Sequence, residues 1–103
     1  MQPQLLNPCK QTEFPARSVA YTGTAGNTST WAPGPELVQV WADSACFVEV
    51  GEGVVATTAS TPIPANTPVL IKLPLNGTGA PWRVSAIQVA AGGTVYAKPM
   101  NRA

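Results

Sequence analysis

Few side chains in this sequence could carry out acid–base chemistry. The chain has 103 residues, no histidine and only five acidic residues. Without histidine, a Ser-His-Asp or Cys-His arrangement cannot be assembled. Glu49 and Glu52 are close in sequence, but a glycosidase-like pair needs two acids that flank a cleft. We therefore expect both carboxylates to lie in solvent, and we expect no catalytic residue.

The two cysteines and the glycines also lack the spacing of a known site. Cys9 and Cys46 fit no metal or redox motif. Cys46 lies within a strand pattern and is predicted to be a small buried apolar residue. Cys9 follows Pro8 and is predicted to be a free thiol, with a Cys9–Cys46 disulfide as the alternative. No glycine cluster has phosphate-loop spacing with its lysine, so we expect neither metal nor cofactor.

The aromatic side chains are the remaining candidates for binding. One interpretation is a sugar-stacking platform, because exposed tryptophans serve that purpose in sandwich lectins. The other is that some rings fill the core while others anchor a protein interface, where Trp and Tyr are enriched. An interface, or packing under a second layer, is favoured for Trp41 and Phe47. The rings concerned are Trp31, Trp41, Phe47, Trp82 and Tyr96.

Charge is scarce throughout the chain. Charged residues make up 11% of the sequence, against about 25% in a typical soluble domain. Such a surface is tolerated when neighbouring molecules cover much of it or when the fold is unusually robust, and we favour coverage by neighbours. The six basic residues are scattered and the net charge is only +1, so direct nucleic-acid binding is not expected.

Targeting signals are not apparent in the sequence. Residues 1–9 lack the basic start and apolar stretch of a signal peptide. No apolar run approaches the ~18–20 residues needed to span a bilayer. We expect a protein that is made in the cytoplasm, is not secreted and is not embedded in a membrane.

Short strands separated by Gly, Pro, Asn and Asp are the dominant pattern. Residues 37–42 and 46–50 flank the turn 43–45 and predict a β-hairpin, in which Asp43 makes an Asx-type bond. Alternation places Cys46, Val48 and Val50 on one face, with Gln39, Trp41, Phe47 and Glu49 on the other. The other strands are predicted at residues 17–22, 54–59, 69–73, 82–89 and 94–98.

About seven strands at this spacing indicate an all-β fold. We predict a compact antiparallel β-sandwich, of jelly-roll or immunoglobulin type. The prolines of residues 61–68 predict a stiff crossover between the two sheets. The predicted organisation is a Pro-rich, extended N-terminal arm at residues 1–16 and a single β-sandwich domain at residues 17–103.

Five segments carry a resemblance to a known class of proteins. The chain resembles small virion proteins of tailed bacteriophages over residues 36–98, in particular the decoration or cement type encoded beside major capsid genes. The resemblance implies a jelly-roll-like domain that forms homotrimers, sits on the capsid surface and bridges neighbouring major capsid protein subunits. The segments are LVQVW (37–41), FVEVG (47–51), VVATTAS (54–60), PIPAN (62–66) and IQVAAGGTVY (87–96).

The predicted function is therefore a structural virion protein that stabilises a bacteriophage capsid. Two alternatives stay open: a head–tail or tail accessory protein, and a glycan-binding module that uses Trp31, Trp41 or Trp82. We expect deletion of residues 1–16 to leave the β-domain folded but to weaken attachment to the capsid. The predicted interface residues are Leu5, Leu6, Phe14, Trp31, Trp41, Phe47 and Trp82.

Overall fold

A computed structural model describes residues 6–8, 12–73 and 81–102 of the chain. The described residues form nine β-strands and contain no helix, so no helix in this part of the chain could cross a membrane. The strands are β1 (Leu6–Pro8), β2 (Arg17–Tyr21), β3 (Gly26–Asn27), β4 (Leu37–Ala42), β5 (Cys46–Gly51), β6 (Thr61–Ile63), β7 (Val69–Lys72), β8 (Arg83–Gln88) and β9 (Gly93–Arg102).

The strands form two antiparallel sheets that pack into a sandwich. The five-stranded sheet has the order β1-β9-β4-β7, with β2 also paired to β9. The four-stranded sheet has the order β3-β8-β5-β6. Both sheets contribute to one buried core, which includes Val38 and Val40 from the first sheet and Val48 and Val84 from the second. The predicted all-β sandwich is therefore confirmed.

Strand β9 is the longest strand and has two successive neighbours along one flank. The β2 strand pairs with its first half, where Arg17 lies opposite Ala97, and β1 pairs with its end, where Pro8 lies opposite Met100. Pro99 lies at the break between these two neighbours. A proline has no amide N–H to donate. At this break β9 can therefore contain a proline without losing a backbone hydrogen bond to β1 or β2. The strand predicted to end before Pro99 thus continues through it.

The predicted alternation of inward and outward side chains is confirmed in β4 and β5. Cys46 is a free thiol and is fully buried, as are Val38 and Val40. Trp41 points outward from β4, and Phe47 is half-buried on the outer side of β5. Cys9 lies outside the described residues.

The predicted hairpin between β4 and β5 is wrong, because these two strands belong to different sheets. The turn 43–45 is a corner that carries the chain from one sheet to the other. Asp43 does not make the predicted local Asx bond. Its Oδ1 accepts a hydrogen bond from the Thr94 amide at 2.8 Å, and its own amide donates to the Thr94 carbonyl at 3.2 Å. These bonds attach the corner to the start of β9.

Tyr21 holds the same corner from the opposite side. Its hydroxyl donates to the Ser44 carbonyl at 2.6 Å and lies 2.7 Å from Ser44 Oγ. The first residue of β9, Gly93, lies so close that a Cβ there would collide with Asp43, Ser44 and the Tyr21 hydroxyl. We call Tyr21, Asp43, Ser44, Gly93 and Thr94 the corner clamp.

The proline-rich crossover predicted at residues 61–68 is confirmed for residues 64–68 only, because Thr61–Ile63 form strand β6. The chain passes from β6 in the four-stranded sheet to β7 in the five-stranded sheet. The strand predicted at residues 54–59 is wrong, since residues 54–57 are irregular and 58–60 form a turn. Ala56 is instead held by its amide, which donates to Ser85 Oγ at 2.8 Å. Pairing with β5 is made by β6, an edge strand that tolerates Pro62.

The described part of the N-terminal segment lies against the sandwich. Strand β1 extends the five-stranded sheet, and the Phe14 ring packs on the core. Lys98 Nζ donates to the Phe14 carbonyl at 2.7 Å. A separate extended arm at residues 1–16 is therefore not confirmed.

The corner clamp generates a first prediction, on stability. Tyr21→Phe removes the hydroxyl group that donates to the Ser44 carbonyl. This carbonyl then lacks the hydrogen bond in a partly buried position. We expect the free energy of unfolding to fall by about 1–2 kcal/mol, measured by urea denaturation. Tyr96→Phe is the matched control, because the Tyr96 side chain is exposed, and it should change stability little. Equal effects of the two substitutions would contradict the clamp.

Alkaline pH provides a second prediction. Burial raises the pKa of the Cys46 thiol above its ordinary value of 9.0, with the Tyr21 hydrogen bond acting in the opposite direction. Burial likewise raises the pKa of Tyr21 above 10.0. Both groups release their protons at lower pH in the unfolded chain, so the stability they contribute is complete below pH 9 and falls as pH rises.

The measurement is the urea midpoint at about pH 8 and about pH 10.5. We expect a lower midpoint at the higher pH, and a smaller decrease in Cys46→Ala, which lacks the titrating thiol. The remaining ionisable groups are the same in both proteins. An identical decrease in the two proteins would show that Cys46 does not contribute.

Candidate functional site

The outer face of the five-stranded sheet carries the most continuous group of exposed large side chains in the described residues. Trp41 on β4 lies opposite Tyr96 on β9. Gln39 lies opposite Leu70 on β7 and opposite Lys98 on β9. Residues opposite one another in a sheet project from the same face. We call these five residues the aromatic face.

Three large side chains of the aromatic face are exposed. Trp41 is 37% exposed, Tyr96 45% and Leu70 48%. The Trp41 and Tyr96 rings meet edge to face, with centroids 4.7 Å apart and planes at 81°. This is a favoured aromatic geometry, so each ring limits the movement of the other. The pair is a rigid, partly apolar surface.

A shallow depression of about 260 Å³ opens on this face. The Trp41 and Tyr96 rings line it together with the Gln39 amide and the Lys98 side chain. The Lys98 ammonium donates to the Phe14 carbonyl, so its charge lies at one side of the depression. The aliphatic part of the Lys98 side chain contributes to the lining. The remaining lining residues are Ala16, Pro68 and Ala97.

Trp31 and Trp82, which were predicted to face a partner or a sugar, belong to the core. They are 2% and 0% exposed, respectively. Their backbones exchange two hydrogen bonds, Trp31 N to Trp82 O at 2.8 Å and Trp82 N to Trp31 O at 3.0 Å. Their rings stack with centroids 4.7 Å apart and planes at 30°. Neither side chain offers a surface to a ligand, and the prediction is corrected for both.

Both buried indoles have satisfied N–H groups. Trp31 Nε1 donates to the Pro15 carbonyl at 2.8 Å, and Trp82 Nε1 donates to the Ala32 carbonyl at 3.0 Å. The Arg17 guanidinium lies 5.6 Å from the Trp31 ring centroid, within the range of a cation–π contact. The tryptophan pair therefore fixes residues 15 and 32 to the sandwich.

The other predicted interface residues do not join the aromatic face. Phe47 lies on the opposite side of the molecule, on the outer face of the four-stranded sheet between Pro62 and Ile87. Phe14 packs against the core. Leu5 lies outside the described residues, and Leu6 is described only by its backbone pairing in β1.

Gln39 and Leu70 complete the aromatic face although neither was predicted to bind a partner. The alternation in each strand indicates which side chains point outward, but it does not reveal which strands are neighbours. The pairing of β4 with β7 and β9 brings these residues together. Sequence reasoning also identified Tyr96 only as a member of the aromatic set, not as the partner of Trp41.

Acidic and sulfur ligands do not cluster within the described ranges. No group of three or more His, Cys, Asp and Glu residues there could hold a metal ion. Glu49 lies on the outer side of the four-stranded sheet, opposite Ser85. Ser85 Oγ donates to Asn27 Oδ1 at 2.6 Å while accepting the Ala56 amide, so this hydroxyl has a structural role.

The comparisons with known proteins give no relative. No protein-family model matches the chain, and no match was found among curated proteins or among solved structures.

Deletion of residues 1–16, which is predicted to leave the β-domain folded, also removes the anchors at residues 14 and 15. This deletion removes the Phe14 ring from the core and the carbonyl that accepts from Trp31. Deletion of residues 1–11 also removes β1 but retains both anchors. We expect the longer deletion to be less stable than the shorter one by about 2–4 kcal/mol, measured by urea denaturation. Equal stability would mean that the anchors contribute nothing.

Proposed function

We propose that this protein is a structural component of a virion that decorates and stabilises an assembled shell, with the major capsid protein as its partner. It attaches through the aromatic face. The observation that carries the proposal is the side-by-side exposure of Trp41, Tyr96 and Leu70 on one sheet of a protein with very little charge.

The chemistry of the aromatic face suits a protein partner. Tryptophan and tyrosine are enriched among the residues that dominate binding energy, and charged residues are depleted at interface centres. Trp41 and Tyr96 are already held by their mutual contact, so ordering them on binding costs little side-chain entropy. Covering this surface would remove apolar area from water without desolvating a free charge at its centre.

The order of the strands supports jelly-roll connectivity as part of the proposal. With β1 left aside, the five-stranded sheet reads β2-β9-β4-β7, because β2 also pairs with β9, and the other sheet reads β3-β8-β5-β6. The chain crosses between the two sheets at most of its connections. Jelly rolls of eight strands occur in viral capsid proteins and in lectins. A fold does not determine a function, so this connectivity supports the capsid and the glycan hypotheses alike.

The location within the virion is proposed from the resemblance over residues 36–98. A decoration protein is present in hundreds of copies per particle, and a head–tail or tail accessory protein in about a dozen or fewer. Quantitative mass spectrometry of purified particles distinguishes the two. The proposed homotrimer fits the same arrangement, since head-to-tail contacts between identical chains can close into a ring.

A glycan-binding module is the second candidate, and the 260 Å³ depression favours it. A pyranose ring could stack on Trp41 while its hydroxyl groups reach the Gln39 amide. Trp31 and Trp82 take no part in this alternative because both are buried. Sugar binding and capsid attachment would use the same face, so they must be separated by the identity of the ligand.

The fourth prediction tests attachment. We expect Trp41→Ala to weaken co-sedimentation with capsid particles at least tenfold, which corresponds to about 1.4 kcal/mol or more and exceeds the ~1 kcal/mol that truncation of most interface residues costs. Phe47→Ala is the matched control, an aromatic residue on the opposite sheet, and should leave binding unchanged.

Two results would contradict this proposal. Loss of capsid binding in Phe47→Ala but not in Trp41→Ala would place the interface on the four-stranded sheet. Binding of a glycan array that is abolished by Trp41→Ala, together with no association with particles, would favour the glycan-binding module. Circular dichroism of each variant checks that the fold is retained.

A further inference from the structure

The strands of the five-stranded sheet contain basic residues and no acidic residue. Two lysines project from its outer face. Lys98 on β9 belongs to the aromatic face, and Lys72 on β7 is two residues beyond Leu70, so its side chain points to the same side. The outer face therefore combines exposed rings with two positive charges. The charged residues in these strands are Arg17, Lys72, Lys98 and Arg102.

The acidic residues of the chain lie outside the strands of this sheet. Glu49 is in β5 of the other sheet, and Glu52 is in the turn that follows it. Asp43 is at the end of the outer face, where its Oδ1 accepts from the Thr94 amide. Glu13 precedes Phe14, and Glu36 precedes β4 with the parity of the inward-pointing Val38. No carboxylate therefore lies between the two lysines within the strands.

The two lysines are held to different degrees. The Lys98 ammonium donates to the Phe14 carbonyl at 2.7 Å, which orients it beside the depression. A carbonyl carries no net charge, so this bond does not neutralise the ammonium. The Lys72 side chain is exposed, and it makes no hydrogen bond or ion pair with a described residue. Lys72 can be changed without loss of a contact in the described structure.

The register of the strands gives the spacing of the two charges. Gln39 on β4 lies opposite Lys98 on one side and Leu70 on the other, so these three residues form one row. Lys72 is two residues further along β7. With strands about 4.8 Å apart and a rise of about 3.4 Å per residue, the two lysine Cα atoms are about 12 Å apart. An extended chain covers that distance in three to four residues.

We infer that the segment of the partner protein that covers the aromatic face is acidic and extended, an inference that rests on the proposed attachment through this face. Its carboxylates, three or four residues apart, lie at Lys98 and Lys72, and an apolar side chain next to the first carboxylate packs on Trp41 and Tyr96. The opposite charges increase the rate of encounter and fix the register, while the rings supply most of the affinity.

The experiment measures co-sedimentation of the full-length chain with capsid particles at about 0.05 M and about 0.5 M salt. Lys72→Gln removes one charge, and Lys72→Arg retains it. Lys98 is not substituted, because its loss would also release Phe14. The matched control is Glu49→Gln on the four-stranded sheet, which changes the net charge by the same amount in the opposite direction. Circular dichroism checks the fold of each variant.

We expect the native protein to bind more weakly at the higher salt concentration, where exposed charges are screened. Lys72→Gln should weaken binding about two- to fivefold at low salt, as expected for one exposed ion pair, and should match the native protein at high salt. Lys72→Arg should bind like the native protein. Glu49→Gln should also leave binding unchanged, whereas an effect of net charge alone would strengthen it.

Loss of binding in Trp41→Ala, with no effect of Lys72→Gln or of salt, would overturn the inference and leave attachment through the aromatic face in place. Stronger binding of Lys72→Gln would show that the partner segment is basic. Binding to anionic glycans on an array that is weakened by Lys72→Gln, without association with particles, would replace the protein segment by a sugar. No association of any variant with particles or glycans would contradict the proposed function itself, and the inference with it.

Discussion

The backbone pairing of β9 is the constraint on which the rest of the structure depends. Its ten residues, Gly93–Arg102, pair with β4 on one flank and with β2 and β1 in succession on the other. Without β9, only β4 and β7 of the five strands would remain paired with each other. A displacement of β9 by one residue would reverse the faces of Tyr96 and Val95, bringing an aromatic ring into the core and a valine to the surface.

The position of β9 is fixed at its start by the corner clamp. Asp43 and Thr94 exchange backbone and side-chain hydrogen bonds, and Tyr21 holds the adjoining Ser44. The clamp thus connects β2, the corner between the sheets and the first residues of β9. The aromatic face depends on this arrangement, because Trp41 is two residues before Asp43 and Tyr96 is two residues after Thr94.

Much of the fold could be predicted from local patterns, and what could not be predicted concerns long-range pairing. Alternation identified the inward side chains of β4 and β5, but the same alternation is compatible with a hairpin and with a corner between sheets. The pairing of β4 with β7 and β9, and of β5 with β6 and β8, distinguishes the two, and these partners are far away in sequence. Trp31 and Trp82 were equally ambiguous, because nothing local shows that the two indoles meet. For the candidate site, Trp41 was identified from its outward position, whereas Gln39 and Leu70 required the order of the strands.

The separation of the tryptophans into two environments gives the protein two independent optical probes. The Trp31 and Trp82 indoles are stacked in the core with their ring centroids 4.7 Å apart, so we expect their electronic transitions to couple and to contribute a paired band to the far-ultraviolet circular dichroism. Trp41 lies at the surface beside Tyr96, where a soluble quencher can reach its emission. A ligand on the aromatic face would shield Trp41 and leave the coupled band unchanged, whereas loss of core packing would abolish the band. Occupancy of the surface and integrity of the core can therefore be followed separately in the unmodified protein.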